Sequence, residues 1–134
     1  MRTPDICTED EIRTLVHAFY ASIHSDAELG PIFGAHVADW DRHLAKMVDF
    51  WSSVLLGTAR YRGTPMPAHC ALPKLTPALF QRWLALFHAT TRTLGNASMQ
   101  ARTDELAARI AQSLWYGYQL FNVPGDMPAE LAAG

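Results

Sequence analysis

Histidines are the residues of this sequence best suited to bind a metal or a cofactor iron, because the imidazole nitrogen is a common ligand for both. The chain contains six: His17, His24, His36, His43, His69 and His88. Four of them fall on a polar helix face, in a connection or at the edge of an apolar stripe. Only His43 and His69 lie where apolar surroundings are expected, so these two are the candidate ligands.

Two further residues join an apolar body to a hydrogen-bond donor. Tyr20 lies one helical turn after Val16 and one turn before Ile23, so it shares their predicted buried face. Trp83 lies on the apolar stripe of a later helix. A buried tyrosine, tryptophan or histidine is equally an ordinary core residue that needs a hydrogen-bond partner. Periodicity alone does not show that these residues meet in space.

Several familiar site motifs are absent from the sequence. It contains no HExxH, CxxC or CxxCH pattern, no GxSxG, no phosphate-binding P-loop and no GxGxxG. The sequence therefore offers no cysteine pair for a cofactor attached through thioether bonds. Cys7 and Cys70 lie far apart in sequence, which favours free thiols in a reducing compartment over a disulfide framework.

Four main helices are predicted to position the candidate residues. The first follows a capping box formed by Thr8 and Glu11, and the second follows Asp39 as N-cap. Thr76 followed by Pro77 predicts the start of the third. The predicted spans are about 9–25, about 39–56, 76–95 and about 98–121. Gly30 and Pro31 predict a corner after the first helix, and no strand is expected, so the fold class is all-α.

Residues 57–75 interrupt this helical pattern. Gly57, Gly63, Pro65, Pro67 and Pro73 prevent one regular helix, and at best residues 68–72 form a single turn around His69. Long irregular segments in compact domains usually have a function. A flat cofactor wedged between helices would explain this one, because its surface would replace helix packing.

Composition limits the class of protein further. The 134 residues are 49% apolar and 18% charged, with a net charge of −2, which indicates one globular domain. We expect its core over about 8–121, and a flexible tail at 122–134, where Pro, Gly and Ala are frequent. The scattered basic residues argue against a nucleic-acid partner. No segment predicts a signal peptide or a membrane span, so we expect a cytoplasmic protein without membrane contact, and a monomer.

Five strings together resemble the group III truncated haemoglobins of bacteria, over residues 8–121. They are AFYASI, DAELGPIF, ADWDRHLAKMVDFWSSVLLG, YRGTPMPAHCALP and LFQRWLALF, in matching order and spacing. The resemblance implies a shortened globin fold, a two-over-two helical sandwich. It also implies non-covalent haem b, that is iron protoporphyrin IX, as cofactor.

The resemblance further assigns roles to residues around the haem. His69, in PAHCALP, is similar to the proximal iron ligand. Tyr20, His43 and Trp83 are similar to the distal tyrosine, histidine and tryptophan that face a bound gas. Phe33, in GPIF, resembles the phenylalanine that packs flat against the haem. His43 is also a candidate iron ligand when no gas is bound.

Four more residues are expected at the cofactor by the same resemblance. Met47 and Trp51 would line the pocket one and two turns after His43. Leu72 lies in the same string as His69. Lys46 lies next to the pocket face and would reach a haem propionate.

The function implied is reversible binding of O2, NO and CO, with tight retention of O2. Two donors among Tyr20, Trp83 and His43 would slow O2 release about a hundredfold, which favours chemistry with O2, NO or peroxide over transport. NO dioxygenase or weak peroxidase activity, with a reductase as partner, is the enzymatic hypothesis. Two alternatives stay open: a gas sensor acting through a separate partner, and a helical interaction module without cofactor.

A dedicated peroxidase is disfavoured by the residues around His69. An acidic partner that makes a ligating imidazole more basic would favour peroxidase chemistry. No Asp or Glu lies between Pro65 and Thr76, so such a partner would have to come from elsewhere in the chain.

Overall fold

The computed structural model describes residues 6–61 and 75–122. In this part of the chain it contains five helices and no strand, as expected for the all-α class. The helices are α1 (Glu9–Ser25), α2 (Leu29–His36), α3 (Trp40–Leu56), α4 (Pro77–Thr91) and α5 (Ala97–Asn122). His69, Cys70 and Leu72 lie outside the described residues, as does the predicted turn at 68–72.

The capping residues found in the sequence do start and stop helices. Thr8 Oγ1 accepts the Glu11 N–H at 3.1 Å, and the Glu11 carboxylate accepts the Thr8 N–H at 2.9 Å, which completes the capping box of α1. Asp39 accepts the Arg42 N–H at 3.1 Å at the start of α3. Gly57 ends α3 with a φ of 71°, in the left-handed region that favours glycine. These predictions are confirmed.

The expectation of four main helices is wrong at the predicted corner, where α2 forms. Gly30 and Pro31 suggested a break, but both stand in the first turn of α2, where backbone N–H groups have no intrahelical acceptor to lose. Gly30 is also needed there, because a Cβ at this position would lie 2.9 Å from the carbonyl oxygen of His24. The dipeptide thus allows a helix to begin directly against the end of α1.

The third predicted helix also ends earlier than expected, at Thr91 rather than near Gly95. The Thr90 hydroxyl donates to the carbonyl oxygen of Leu86, and that of Thr93 donates to the carbonyl of Thr90. Such side-chain bonds compete with continued helix. Gly95, with a φ of 69°, makes the turn into α5.

Helix α1 is the centre of the packing. It lies against α2, α3 and α4, while α4 also packs along α5. Its buried face carries Ile12, Leu15, Val16, Phe19, Tyr20 and Ile23, at the spacing expected for one side of a helix. A second, smaller apolar cluster joins α4 to α5 through Phe80, Leu114 and Trp115.

None of the described helices combines the length and the apolar composition that a membrane crossing requires.

Candidate functional site

An apolar cavity lies between α2, α4 and α5. It has a volume of about 500 Å³, part of it open to solvent. From α2 and α4 it is lined by Leu29, Ile32, Phe33, Leu79, Phe80 and Trp83. Ala111 and Leu114 of α5 and Leu75 complete the described lining. The Trp83 indole N–H is the one polar side-chain group among these lining residues, so the cavity suits an apolar ligand.

Tyr20 lies behind one wall of this cavity. Its side chain is 7% exposed, and its ring contacts that of Phe33 at a centroid distance of 5.9 Å. Burial raises the pKa of the Tyr20 phenol, since a phenolate would lose its hydration. The hydroxyl therefore stays protonated and can act as a hydrogen-bond donor.

His43 contacts Tyr20 from α3. The two rings are 5.0 Å apart and nearly perpendicular, and the Trp40 ring lies 5.5 Å from His43 and 6.0 Å from Tyr20. Trp40 and His43 are neighbours on one face of α3, because both belong to this helix and are three residues apart. On its other side, the Trp40 ring contacts the exposed His24 at 4.0 Å.

Trp83 meets this group through Phe19. The Phe19 ring lies 5.3 Å from the Trp83 ring and 5.1 Å from the Tyr20 ring. Trp83 also stacks on Phe87, at 5.6 Å and an interplanar angle of 15°. Since Trp83 and Phe33 line the same cavity, four of the predicted site residues, on four helices, are close to one another: Tyr20, Phe33, His43 and Trp83.

Other predicted cofactor residues lie outside the described lining. Trp51 is 5% exposed and stacks on Phe87 at 5.3 Å, so it lies deeper in the core. Met47 is half-buried against the same core. Lys46 is exposed, with its Nζ 6.0 Å from the centre of the Tyr61 ring. Their cofactor roles, and those of His69 and Leu72, stay predictions.

Sequence reasoning did not single out several residues that line the cavity. Leu79, Phe80 and Leu114 lie at helical spacing on apolar stripes, but a stripe does not show which of its members face an opening. Leu29 and Ile32 belong to the helix that the sequence did not predict. Trp40 likewise carried no signal beyond its helical spacing.

Within the described ranges, no cluster of three or more histidine, cysteine or acidic side chains could hold a metal ion directly.

Three comparisons with known proteins agree on the family of this chain. Residues 5–114 match the model of the bacterial-like globins. The group 3 truncated hemoglobin ctb of Campylobacter jejuni is 33% identical over 117 residues, which cover 82% of this chain and 92% of that protein. The crystal structure of a group III truncated hemoglobin from Campylobacter jejuni matches with a TM-score of 0.77 at 29% identity. That match covers 95% of this chain and 100% of the other.

The expected shortened globin fold is thereby confirmed. The chain therefore belongs to the bacterial-like globins, as a truncated haemoglobin of group III.

Proposed function

We propose that this protein binds haem b in the cavity between α2, α4 and α5, and uses it to bind O2, NO and CO, with O2 held tightly. One observation carries the proposal: Phe33 and Trp83 line an apolar cavity, and Tyr20 and His43 lie behind Phe33. Family membership implies the haem, and the cavity supplies walls of the right chemistry for it.

The described residues fit a haem in two respects. The lining is apolar, as a porphyrin face requires, and the Trp83 indole supplies a single hydrogen-bond donor on it. Leu75 at the rim is six residues after His69 in the sequence. We assign His69 as the axial ligand, since histidine is the usual proximal ligand in globins.

When bound, the haem supplies a ferrous iron with an open coordination position that takes up a diatomic gas. Tyr20 donates a hydrogen bond toward that gas, and burial keeps its phenol protonated for this purpose. Trp83 contributes its indole N–H from α4. The rings of Phe19, Phe33 and Trp40 contact Tyr20, whose burial limits competition from water for its hydroxyl.

The strength of these hydrogen bonds favours retention over transport. A hydrogen bond to a charged or strongly polarised acceptor contributes about 1.5–3 kcal/mol, and each 1.4 kcal/mol corresponds to about a tenfold change in an equilibrium constant. Tyr20 and Trp83 together would slow O2 release by about a hundredfold or more. His43, whose ring is 5.0 Å from that of Tyr20, is a third donor for the same region. Reaction of O2 with NO, or turnover of peroxide with electrons from a reductase, suits such a site.

The assignment of His69 is tested by adding haem to purified protein and recording the absorption spectrum. We expect the wild type to develop a Soret band, and His69→Ala to lose it or to show the spectrum of a haem with a different ligand. His17→Ala, on the exposed face of α1, is the matched control. A normal spectrum for His69→Ala would overturn the ligand assignment. A wild type without a Soret band would instead favour a helical interaction module.

The role of Tyr20 is tested by the rate of O2 dissociation. Tyr20→Phe should raise that rate about tenfold or more, because it removes one donor and keeps the ring. Tyr61→Phe, in a tyrosine outside the cavity, should leave the rate as it is. An unchanged rate in Tyr20→Phe would refute the hydrogen-bonding account.

A further inference from the structure

A buried carboxylate at the corner between α1 and α2 has no role in the function proposed above. Asp26 is the C-cap of α1, and its side chain is only 5% exposed. Its Oδ2 accepts the backbone N–H groups of Glu28 at 3.0 Å and Leu29 at 2.8 Å, where α2 begins. The carboxylate therefore ties the end of one helix to the start of the next.

The same carboxylate also binds α4. Arg82 Nε lies 2.7 Å from Oδ1 and 2.8 Å from Oδ2 of Asp26, and Arg82 Nη2 lies 2.7 Å from Oδ1. Arg82 immediately precedes Trp83 in the sequence. Asp26 thus joins three helices, two of which carry walls of the cavity: Leu29 on α2 and Trp83 on α4.

The apolar contacts of Trp83 do not fix its orientation by themselves. Its ring meets the rings of Phe19 and Phe87, and aromatic pairs accept ring centroids from about 4.5 to 7 Å apart, so these contacts leave the position of the ring less sharply defined than an ion pair does. A guanidinium bound to both carboxylate oxygens has a defined distance and plane. Neighbouring residues on a helix point about 100° apart, so fixing Arg82 also sets the direction of Trp83.

We propose that Asp26 and Arg82 are positioning residues for the site: their ion pair fixes the rotation of α4 against the α1–α2 corner and thereby aims the indole N–H of Trp83 at the ligand. The gas-binding part of this inference rests on the proposed function. The geometric part, that Arg82 holds the Trp83 ring in place, does not.

The ion pair differs from the exposed charge pair in the first turn of α1. Arg13 and Asp10 on α1 are 2.8 Å apart, but their side chains are 55% and 92% exposed, and both belong to one helix. An exposed pair within a helix adds little to stability and constrains no tertiary contact. Arg82 reaches across from another helix to a carboxylate that also accepts two backbone N–H groups, so losing it changes how helices meet.

The decisive experiment measures O2 dissociation from the haem-bound protein in a mutant cycle. Arg82→Met keeps a flexible apolar chain close to the aliphatic part of arginine and removes the guanidinium and with it the ion pair, and it is combined with Trp83→Phe. We expect Arg82→Met alone to speed O2 release by up to about tenfold, the loss of one donor's contribution. In the Trp83→Phe background it should add nothing further. Equal effects in both backgrounds, or no effect in either, would overturn the proposal.

Two variants separate positioning from a general loss of structure. Arg82→Lys keeps the charge but lacks the planar fork, so we expect an intermediate O2 dissociation rate with helix content unchanged by far-ultraviolet circular dichroism. If Arg82→Met does not fold, Arg82→Lys replaces it in the mutant cycle with Trp83→Phe. Arg13→Met, which breaks the exposed pair on α1, is the control and should leave the rate as it is.

A second measurement uses the haem-free protein and stays valid if the proposed function fails. Acrylamide quenching of tryptophan fluorescence should increase in Arg82→Met relative to wild type, and this increase should vanish when both proteins carry Trp83→Phe. If haem binds and Trp83→Phe changes O2 release while Arg82→Met changes neither rate nor quenching, positioning is wrong and the proposed function stands. If haem does not bind but the quenching result holds, the positioning role of Arg82 stands and the proposed function is wrong.

Discussion

The core around Phe19 and the cavity beside it are built from the same kinds of residue but are packed differently. Phe19 is 2% exposed and is surrounded by the rings of Tyr20, Trp83 and Phe87, so its space is filled by the protein itself. At the cavity, Phe33 and Trp83 are only half-buried and face an opening. A filled core gains close packing that an open apolar cleft lacks. This difference is what the proposed function requires, because a bound haem would complete the cavity walls.

The largest expected effect is a contrast between two phenylalanines in the haem-free protein. Phe19→Ala should lower the free energy of unfolding by about 3–5 kcal/mol, because it empties a filled site. Phe33→Ala should lower it clearly less, since its ring already borders open space. Urea unfolding of both variants measures the contrast. Equal losses would show that the cavity wall is packed as tightly as the core.

Adding haem should reduce the difference between the two variants, because Phe33 then contacts a ligand. A ligand that binds only the folded state stabilises it by about 2.7 kcal/mol when its free concentration is a hundred times its dissociation constant. We expect the urea midpoint of the wild type to rise on adding haem, and Phe33→Ala to gain less than the wild type. A rise of the same size in His69→Ala would mean that the stabilisation does not come from the assigned axial ligand.

A smaller effect is expected from the two glycines of α2, which also differ in their surroundings. A Cβ on Gly30 would lie 2.9 Å from the His24 carbonyl oxygen, so Gly30→Ala should destabilise the α1–α2 corner by about 1–3 kcal/mol. A Cβ on Gly34 meets nothing within 4 Å, so Gly34→Ala should stabilise the protein by about 0.5–1 kcal/mol. Thermal unfolding of the pair decides the matter. A stabilising Gly30→Ala would mean that α2 does not approach α1 as closely as described.

The corner where core and cavity walls meet should also show its own pH dependence. The Arg82 guanidinium and the N–H groups of Leu29 and Glu28 lower the pKa of Asp26 from an ordinary value of 3.8 to about 2. A carboxyl group whose pKa is lower in the folded state than in the unfolded state stabilises the fold at pH values above its unfolded-state pKa. This stabilisation is lost as the pH falls toward the folded-state pKa. Wild type should therefore exceed Asp26→Asn in unfolding free energy above pH 3.8, and the excess should shrink as the pH falls toward 2. A difference that stays constant over this range would contradict the assignment.

Local signals predicted most helix boundaries correctly. Thr8 with Glu11, Asp39, Gly57 and Thr76 with Pro77 each act within one helical turn, so their effect does not depend on the rest of the chain. Helix α2 was missed because Gly30 and Pro31 usually signal a break. Whether they start a helix depends on how closely the end of α1 approaches, which is a tertiary matter.

The candidate site was predictable only in part for a related reason. Helical spacing placed Tyr20, His43 and Trp83 on apolar faces, and the resemblance to a known family suggested that they meet. The cavity itself depends on which sides of α2, α4 and α5 face one another. Nothing in the spacing of Ala111 and Leu114 distinguishes a cavity wall from ordinary core.

The sequence by itself therefore determined the all-α class, most helix ends and the candidate residues, because capping and amphipathic spacing are properties of short stretches of chain. Only the tertiary structure decided that Trp51 lies in the core while Phe33 faces the cavity, and that Asp26 meets Arg82 from a distant helix. Those relations depend on how whole helices pack. The packing free energy is spread over many residues far apart in sequence, so no local pattern contains it.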